Sequence, residues 1–328
     1  MKVSVTIATW KRADLLDMVL DALVTQTTDH SKFEIIVCDS NSGEDTDSVV
    51  SKYKVMCPSL TIKHVHTENI LAAKRNVGVK FASNEIVIFL DDDCVPESRF
   101  VEKYISHFER LGNAKIVLCG EIKYPPDWVA VSNYFRFRNS RHFGSGRRPE
   151  LESGTLDCRT IVVMNMGFVK SEYIKSNLFV NEKFVGYGCE DHDLGYRINL
   201  AGFEILPTDI SVEHRETSGS LIGYKKKLFH TSRDGIATLL QENPAVVQAL
   251  GMNVLEAPQS VWYGALLTTL LKSPIVKLVE YFLEVTDNIS LLYFPFGYKM
   301  VLASAYLEGK RSRSSRLAKK SIAGGWYQ

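Results

Sequence analysis

Short β-branched segments alternate with helical segments along the N-terminal part of this chain, and this alternation limits the folds that it can adopt. The segments with strand composition are residues 2–8, 34–38, 60–66, 85–90 and 114–122. Apolar residues at helical spacing occupy residues 12–25, 70–82 and 97–111. Strands that are joined by helices form right-handed crossovers, which build a sheet covered by helices on both faces. We therefore predict an α/β fold with a doubly wound sheet, parallel or mixed.

The rest of the chain has a different character. Further segments with a strand or helix pattern are residues 160–165, 190–201 and 210–214. Residues 124–154 have little periodicity, and their glycine and proline content predicts a mobile loop. Long amphipathic segments follow at residues 225–241, 257–271, 275–285 and 289–307. We therefore predict an α/β domain over residues 1–223 and a C-terminal helical extension with a basic tail over residues 224–328.

Composition excludes several classes of protein. The chain has 328 residues, of which 45% are hydrophobic and 23% are charged, values typical of a globular protein. Its 39 basic and 38 acidic residues give a net charge of +1, so we expect no nucleic-acid partner. Six cysteines without a Cys-x-x-Cys pair indicate reduced thiols in a cytoplasmic protein. The N-terminus lacks the pattern of a secretory signal, and the apolar stretch 261–271 is too short to span a bilayer.

Carboxylates follow two of the predicted strands directly. Asp39 comes after EIIVC, and Asp91, Asp92 and Asp93 come after EIVIFL. Because the carboxyl ends of parallel strands meet at one edge of a sheet, we expect both groups to lie there, where such sheets bind ligands. Carboxylate oxygens accept hydrogen bonds from a base or a sugar and bind Mg²⁺ or Mn²⁺ together with phosphates. A solvated acidic turn is the alternative, but three adjacent carboxylates repel one another strongly without a cation.

A second acidic cluster, GYGCEDHD at residues 186–193, begins the helix predicted at 190–201. Acidic residues stabilise a helix N-terminus, and Asp193 can pair with Arg197 one turn later, so part of the cluster has a structural explanation. The crowding of acids beside a Gly-x-Gly turn is also what a general base at a strand-to-helix junction requires. His214, at the end of the segment 210–214, is either a metal ligand or a hydrogen-bonded structural residue.

Taken in order, these motifs resemble those of the family-2 glycosyltransferases, the inverting nucleotide-sugar enzymes of GT-A fold. The resemblance extends from Val3 to His214. The segments that carry it are VSVTIATWKR, IIVCDSNS, KRNVG, the three aspartates and GYGCEDHDLGYR. One departure lies in the turn after the first strand, which reads Ala-Thr-Trp-Lys-Arg where the family has Pro-Thr-Tyr-Asn-Arg. The resemblance implies a GT-A type sheet.

The resemblance also implies roles for particular residues. Asp39 looks like the aspartate that reads the uracil ring, and Asp91 like the one near the ribose. Asp93 matches the metal ligand of the DXD motif, for Mn²⁺ or Mg²⁺, with His214 as a second candidate ligand. Asp191 matches the usual catalytic base, and Glu190 is expected to orient the acceptor. The other positions expected to contact the nucleotide-sugar are Thr9, Arg12, Lys74, Arg75, Asn76 and Asp92.

The leading hypothesis is an inverting transfer of a hexose or N-acetylhexosamine from a UDP-sugar to a saccharide acceptor, free or lipid-linked, in surface-polysaccharide assembly. One alternative is a metal-dependent nucleotidyltransferase, which would normally carry a glycine-rich phosphate loop after the first strand; residues 8–11 do not form one. A non-catalytic subunit that binds nucleotide-sugars is the other alternative.

Two basic regions suggest further partners. Residues 134–148 mix aromatic and basic side chains, which suit an anionic acceptor, stacking on sugar rings, or simply a solvated loop. After Glu308 no acidic residue follows, and six Lys and Arg residues give the tail its charge. With the amphipathic segments before it, the tail suits docking on an anionic membrane surface. A helical packing domain with a frayed tail is the alternative, so we expect a cytoplasmic protein, either free or peripheral on the inner face of the plasma membrane.

Overall fold

The computed structural model describes residues 1–41, 43–112, 115–141, 156–161, 163–216, 219–256, 271 and 274–316. In this part of the chain, eight strands form one sheet with the order β3-β2-β1-β4-β7-β6-β8-β5. The strands are β1 Val3–Thr9, β2 Phe33–Asp39, β3 Thr61–His66, β4 Ile86–Asp91, β5 Cys94–Pro96, β6 Ile116–Lys123, β7 Asn165–Val169 and β8 Glu204–His214. The predicted α/β sheet is confirmed.

The sheet is mixed. Strands β3, β2, β1 and β4 are parallel to one another, β7 runs antiparallel between β4 and β6, and β5 runs antiparallel to β8. The predicted strand at residues 160–165 is wrong, because the strand begins only at Asn165. Ile161 and Val163 are buried in the main core without belonging to a strand, which explains the apolar composition of that segment.

Helices cover both faces of the sheet and form the C-terminal part. They are α1 Ala13–Val24, α2 Glu44–Met56, α3 Leu71–Phe81, α4 Phe100–Leu111, α5 Pro126–Val131, α6 Asn133–Asn139, α7 Lys170–Lys175, α8 Glu190–Leu200, α9 Leu221–His230, α10 Ile236–Glu242, α11 Pro244–Ala249, α12 Asn253–Glu256, α13 Pro274–Val285 and α14 Pro295–Arg316. A π-helical turn, Thr231–Gly235, joins α9 to α10. Short 3-10 turns lie at His30–Lys32 and Ser290–Leu292.

The prediction of an irregular segment over residues 124–154 is wrong for its first part, which forms α5 and α6. Helix α6 packs against the C-terminal helices, because Tyr134 and Phe137 are buried in one cluster with Tyr298. The glycines and prolines that predicted a mobile loop, and the segment 257–270, lie outside the described residues. The helix predicted at 289–307 begins only at Pro295, a residue that suits the first turn of a helix.

In the described part of the chain, no helix combines the length and the apolar character needed to cross a bilayer. All six cysteines are free thiols, as expected from their spacing.

Candidate active site

Three strands end at the same edge of the sheet and bring the strand-end carboxylates together. Thr9 at the end of β1 pairs with Asp39 of β2, and Ala8 pairs with Asp91 of β4. The expectation that Asp39 and the three aspartates share one edge is therefore met. An open cleft of about 540 Å³ lies beside this edge and is lined by Lys11, Arg12, Ala13, Asp14, Asn41, Gly43, Asp45 and Ser48. Its size is that of a small-molecule site.

Arg12 neutralises two of the three consecutive aspartates. Its guanidinium donates to Oδ1 of Asp92 and to Oδ2 of Asp93, both at 2.6 Å. Burial raises the pKa of Asp92. For Asp93 the effect of burial is outweighed by the charges of His214 and Arg12, so its pKa is lowered and it stays ionised. The hydroxyl of Thr9 lies next to Asp92. The guanidinium of Arg12 therefore compensates part of the negative charge of Asp92 and Asp93 within the protein itself.

His214 lies at the end of β8 and faces the same aspartate. Cys94, which follows Asp93, pairs with His214 between β5 and β8. Nε2 of His214 is 3.4 Å from Oδ2 of Asp93, while its buried Nδ1 has no hydrogen-bond partner among the described residues. A carboxylate and an imidazole at this spacing fit a divalent cation whose remaining ligands are phosphate oxygens and water. The metal position at Asp93 and His214 stays a prediction.

Buried Arg75 connects the two acidic clusters. Its Nη2 donates to Oδ1 of Asp91 at 3.1 Å, and its Nη1 donates to Oε1 of Glu190 at 3.3 Å. Arg75 lies on α3, Asp91 ends β4 and Glu190 begins α8, so one side chain ties three elements together. The side chain of Arg75 is only 6% exposed, which makes this a buried ion pair rather than a surface contact. The acidic clusters that the sequence places far apart therefore meet at one site.

The first two residues of α8, Glu190 and Asp191, are both acidic but have different surroundings. Burial, followed by the nearby charge of Asp191, raises the pKa of Glu190 to about 6 although Arg75 acts in the opposite direction. Asp191 is half-buried, and its Oδ1 accepts a hydrogen bond from the backbone N–H of His192 at 2.8 Å. Asp193 is buried and held by Arg197 at 2.9 Å, which supports the structural explanation for this third acid.

Two further residues predicted to contact the nucleotide-sugar lie on α3. Burial lowers the pKa of Lys74 to about 8, while Asp39 and Asp92 act in the opposite direction. The ammonium of Lys74 thus lies in the field of both strand-end acids. The amide of Asn76, in contrast, is fully occupied, because it donates to the carbonyl of Val180 and accepts from its N–H, both at 2.8 Å. We therefore expect Asn76 to hold the chain at Val180 in place.

Sequence reasoning missed a buried charged cluster behind His214. Oε2 of Glu216 accepts from the hydroxyl of Tyr124 at 3.1 Å and lies 3.3 Å from Nη1 of Arg138. Lys227 contacts the other oxygen of Glu216. The ring of Tyr124 also packs against that of His214, with centroids 5.2 Å apart. Arg138 is therefore a buried structural residue, and only the crowding of aromatic residues around it in the sequence hints at burial.

The C-terminal helices support the acidic turn directly, which the sequence did not predict. Gly188 has a φ of +85°, and a Cβ there would lie 2.8 Å from Oγ1 of Thr231. A Cβ at Gly235 would lie 2.4 Å from the carbonyl oxygen of Gly188. The turn and the π-helical segment thus approach each other closely, and Cys189 belongs to the same apolar cluster as Ile236. Glycine at these positions allows the contact.

Comparison with known proteins identifies the family. The model of glycosyl transferase family 2 matches residues 4–168, half of the chain. The chain belongs to glycosyl transferase family 2. This confirms the resemblance noted in the sequence, and with it the enzyme class of a glycosyltransferase.

Several curated relatives of this family 2 member carry names that state an activity. It is 36% identical over 247 residues to the chondroitin synthase of Pasteurella multocida, a match that covers 66% of this chain and 25% of that protein. It is 28% identical over 232 residues to the validoxylamine A glucosyltransferase of Streptomyces hygroscopicus subsp. jinggangensis, covering 64% of this chain and 53% of the relative. The chain spans about half the length of the first curated relatives that it matches.

Solved structures share the fold of this glycosyltransferase. The mannosyltransferase PcManGT from Pyrobaculum calidifontis, in complex with GDP-Man and Mn²⁺, aligns with a TM-score of 0.64 at 15% identity and covers 97% of this chain and 88% of its own. Residues 1–349 of TarS from S. aureus, in complex with UDP-GlcNAc, align with a TM-score of 0.53 at 16% identity, covering 99% and 95%. At these identities the likeness establishes a GT-A fold, as predicted.

Proposed function

We propose that this family 2 enzyme transfers a hexose or N-acetylhexosamine from a UDP-sugar to a saccharide acceptor, with inversion at the anomeric carbon. The observation that carries this proposal is the Arg75 bridge, because it joins the strand-end acids to the acidic first turn of α8. In this proposal the strand-end acids bind the donor and the neighbouring acids of α8 serve the acceptor. Relatives named as chondroitin synthases and as a glucosyltransferase support a hexosyl donor and a saccharide acceptor.

The donor nucleotide would be held by the strand-end residues. Asp39 reads the base through its buried carboxylate, and Asp91 accepts from the ribose. Arg12 and Lys74 supply positive charge for the diphosphate, since guanidinium and ammonium groups bind phosphate oxygens strongly. Lys74 lies in the field of Asp39 and Asp92, the acids at the ends of two neighbouring segments of the site. A solved structural neighbour that contains UDP-GlcNAc supports a uridine donor.

Asp93 and His214 would hold a Mn²⁺ or Mg²⁺ ion. When bound, such an ion acts as a Lewis acid that stabilises negative charge on the departing diphosphate. Asp93 suits this role because its pKa is lowered and it is ionised, and Nε2 of His214 lies 3.4 Å from the same carboxylate. The Mn²⁺ in the complex of the mannosyltransferase neighbour supports a divalent cofactor.

Asp191 would remove the proton of the attacking acceptor hydroxyl. Its carboxylate is half-buried, and its Oδ1 accepts a hydrogen bond from the backbone N–H of His192 at 2.8 Å. Glu190 is held by Arg75 and would orient the acceptor. General-base assistance is worth about 10²- to 10⁴-fold in rate.

Release of UDP tests this assignment. Purified protein is incubated with a panel of UDP-sugars, Mn²⁺ or Mg²⁺ and saccharide acceptors, and UDP is measured with and without acceptor. We expect acceptor-dependent, metal-dependent release from one UDP-hexose or UDP-N-acetylhexosamine. Asp191→Asn should lower kcat by about 10²- to 10⁴-fold. The matched control is Asp193→Asn in the same helical turn, which should keep its turnover because Asp193 pairs with Arg197.

Two outcomes would contradict the proposal. Asp191→Asn with near wild-type turnover would remove Asp191 from the role of base. Nucleotide binding without release from any sugar donor would favour a non-catalytic subunit, whereas release of pyrophosphate from a nucleoside triphosphate would favour a nucleotidyltransferase. The stereochemistry of the product, read by NMR, tests inversion separately.

The C-terminal region, residues 224–328, would dock the catalytic domain, residues 1–223, on an anionic membrane surface that carries a lipid-linked acceptor in surface-polysaccharide assembly. Helix α13 and the segment after it expose a row of apolar side chains: Ile275, Leu278, Tyr281, Val285, Ile289, Leu291, Leu292, Phe294 and Phe296. Leu291 is 91% exposed, which is costly in water unless a partner covers it. Exposed Lys277 and Lys299 lie in the same region and suit anionic headgroups.

Sedimentation with lipid vesicles tests the docking. The full chain should bind vesicles that contain anionic lipid more strongly than neutral ones, and Leu291→Glu combined with Phe296→Glu should abolish binding. Val55→Glu is the matched control, because Val55 is 81% exposed on α2 outside this region. Equal sedimentation of all three proteins would refute the membrane surface while leaving the transferase proposal untouched.

A further inference from the structure

Two histidines lie beside Asp39, the residue proposed to bind the nucleobase, and neither has a role in the proposed sugar transfer. His64 and His66 are two residues apart on β3, so both side chains lie on one face of the strand. His66 pairs with Asp39 of β2, and His64 pairs with Val37 two residues earlier. Asp47, on the first turn of α2, approaches the same face. Two imidazoles and two carboxylates from three elements thus converge.

The contacts within this group are incomplete. Nε2 of His64 lies 3.6 Å from Oδ2 of Asp39, too far for a hydrogen bond, and neither atom has another hydrogen-bond partner among the described residues. Asp39 is fully buried, and the side chain of His64 is only 8% exposed. A buried lone pair and a buried carboxylate oxygen that face each other unpaired are unfavourable, and either a proton on Nε2 or a cation between the two atoms relieves this.

The second nitrogen of His64 shows how the ring is fixed. Nδ1 lies 2.9 Å from Oδ1 of Asp47, so the tautomer with its proton on Nδ1 donates to that carboxylate and presents Nε2 as an acceptor towards Asp39. Metal-binding histidines are typically oriented in this way by a carboxylate on their other nitrogen. Asp47 therefore has the position of an outer carboxylate that holds the ring.

We infer that Asp39, His64 and His66 form a binding site for a divalent transition-metal ion of the Zn²⁺ class. One ligand atom from each residue lies within 4.8 Å of the others. Two ligands of one tetrahedral Zn²⁺ ion, at bond lengths of about 2.0–2.1 Å, are separated by about 3.4 Å, which is close to the distance between His64 and Asp39. Imidazole nitrogens select such ions over Mg²⁺. The site is separate from Asp93 and His214.

A Zn²⁺ ion at this site should weaken binding of the UDP-sugar, an expectation that rests on the proposed function. Asp39 is the residue proposed to read the nucleotide base, so an ion bound to its carboxylate competes with the nucleotide for that oxygen. Zn²⁺ should therefore raise the KM for the UDP-sugar, and saturating UDP should weaken Zn²⁺ binding to this site.

Titration calorimetry of the full chain with Zn²⁺, without nucleotide, tests the site directly. Wild type should bind one Zn²⁺ ion more than the double variant His64→Gln/His66→Gln. Asp47→Asn should keep the ion but bind it about 10- to 100-fold more weakly, as expected for loss of an orienting carboxylate. His66→Gln alone, at an exposed position, is the variant to use if the double substitution unfolds the protein.

The matched control is His107→Gln, because Nε2 of His107 also faces a carboxylate oxygen, that of Asp209, at 3.5 Å but without a second imidazole. It should leave the number of bound ions unchanged. Equal stoichiometry and affinity in wild type, the histidine variants and the control would overturn the site. Binding that is lost in the histidine variants but unaffected by UDP would preserve the site and instead contradict the role of Asp39 in base recognition.

Discussion

Replacing Arg75 with methionine should damage stability and activity together, because one buried guanidinium holds two carboxylates. Its contacts of 3.1 Å to Asp91 and 3.3 Å to Glu190 each correspond to about 5 kcal/mol of attraction at an effective dielectric constant near 20. Desolvation offsets much of this attraction. Removing one partner of a buried pair nevertheless costs about 3–5 kcal/mol, since the remaining charges stay buried and unpaired. For a chain of this length, about 4 kcal/mol corresponds to a fall in Tm of roughly 6 °C.

Denaturant unfolding and UDP release would be measured on the same preparations of Arg75→Met. Arg99→Met is the matched control: Arg99 also pairs with a carboxylate, that of Glu102, but it is 61% exposed, so the change should cost less than about 1 kcal/mol. A double-mutant cycle with Glu190→Gln should give a favourable coupling between Arg75 and Glu190. Arg75 does not hold the two acidic clusters together if Arg75→Met loses no more stability than Arg99→Met, or if the effects of Arg75→Met and Glu190→Gln are additive.

Two further predictions concern the surroundings of the site. Glu216→Gln should destabilise the protein at pH 7 by about 3 kcal/mol, because the charges of Arg138 and Lys227 outweigh burial and lower the pKa of Glu216 from 4.5 to about 2. The contribution of this depressed pKa is complete above pH 4.5 and is lost as the pH falls towards 2, so the two proteins should converge in acid unfolding curves. Gly188→Ala should cost more in thermal unfolding than Gly112→Ala: both residues have positive φ, but only at Gly188 does the new Cβ meet another side chain. Equal losses would mean that the contact with the π-helical turn contributes nothing beyond about 1–2 kcal/mol of backbone strain.

The sequence predicted those parts of the site that depend on short patterns of neighbouring residues. A buried apolar run that ends in aspartates, as in β4, indicates a strand and its carboxyl end together. Parallel pairing then brings Asp39 and Asp91 to one edge without further information, as the register confirms. The start of α8 was predicted in the same way, from a Gly-x-Gly turn followed by acids. In each case the relevant signal spans about ten residues.

The parts that the sequence did not predict depend on contacts between distant residues. Strand β7 is recognisable only from its antiparallel pairing with β4, because Asn165–Val169 contains a glycine and is short. Helix α2 was missed because its first turn is acidic and only Thr46, Val50 and Tyr53 are buried. The apolar signal of such a helix is too sparse to be separated from a polar loop by periodicity alone.

The contact between Gly188 and the π-helical turn shows why the site could not be assigned to one half of the chain. The tight backbone at Gly188 and Cys189, both with positive φ, fixes where α8 begins. Its conformation is supported from behind by Thr231 and Gly235, which belong to the helical extension. Amphipathic periodicity identified that extension as helical, but it carries no information about which surface the helices cover.

The orientation of the first two residues of α8 separates their proposed roles. Successive residues of a helix point about 100° apart, so neighbouring carboxylates cannot face the same direction. Glu190 points inward to Arg75, and its pKa is raised to about 6 by burial and by the charge of Asp191. Asp191 is half-buried, and its Oδ1 accepts a hydrogen bond from the backbone N–H of His192. Because Arg75 engages Glu190, we propose that Glu190 orients the acceptor while Asp191 receives the proton of the acceptor hydroxyl.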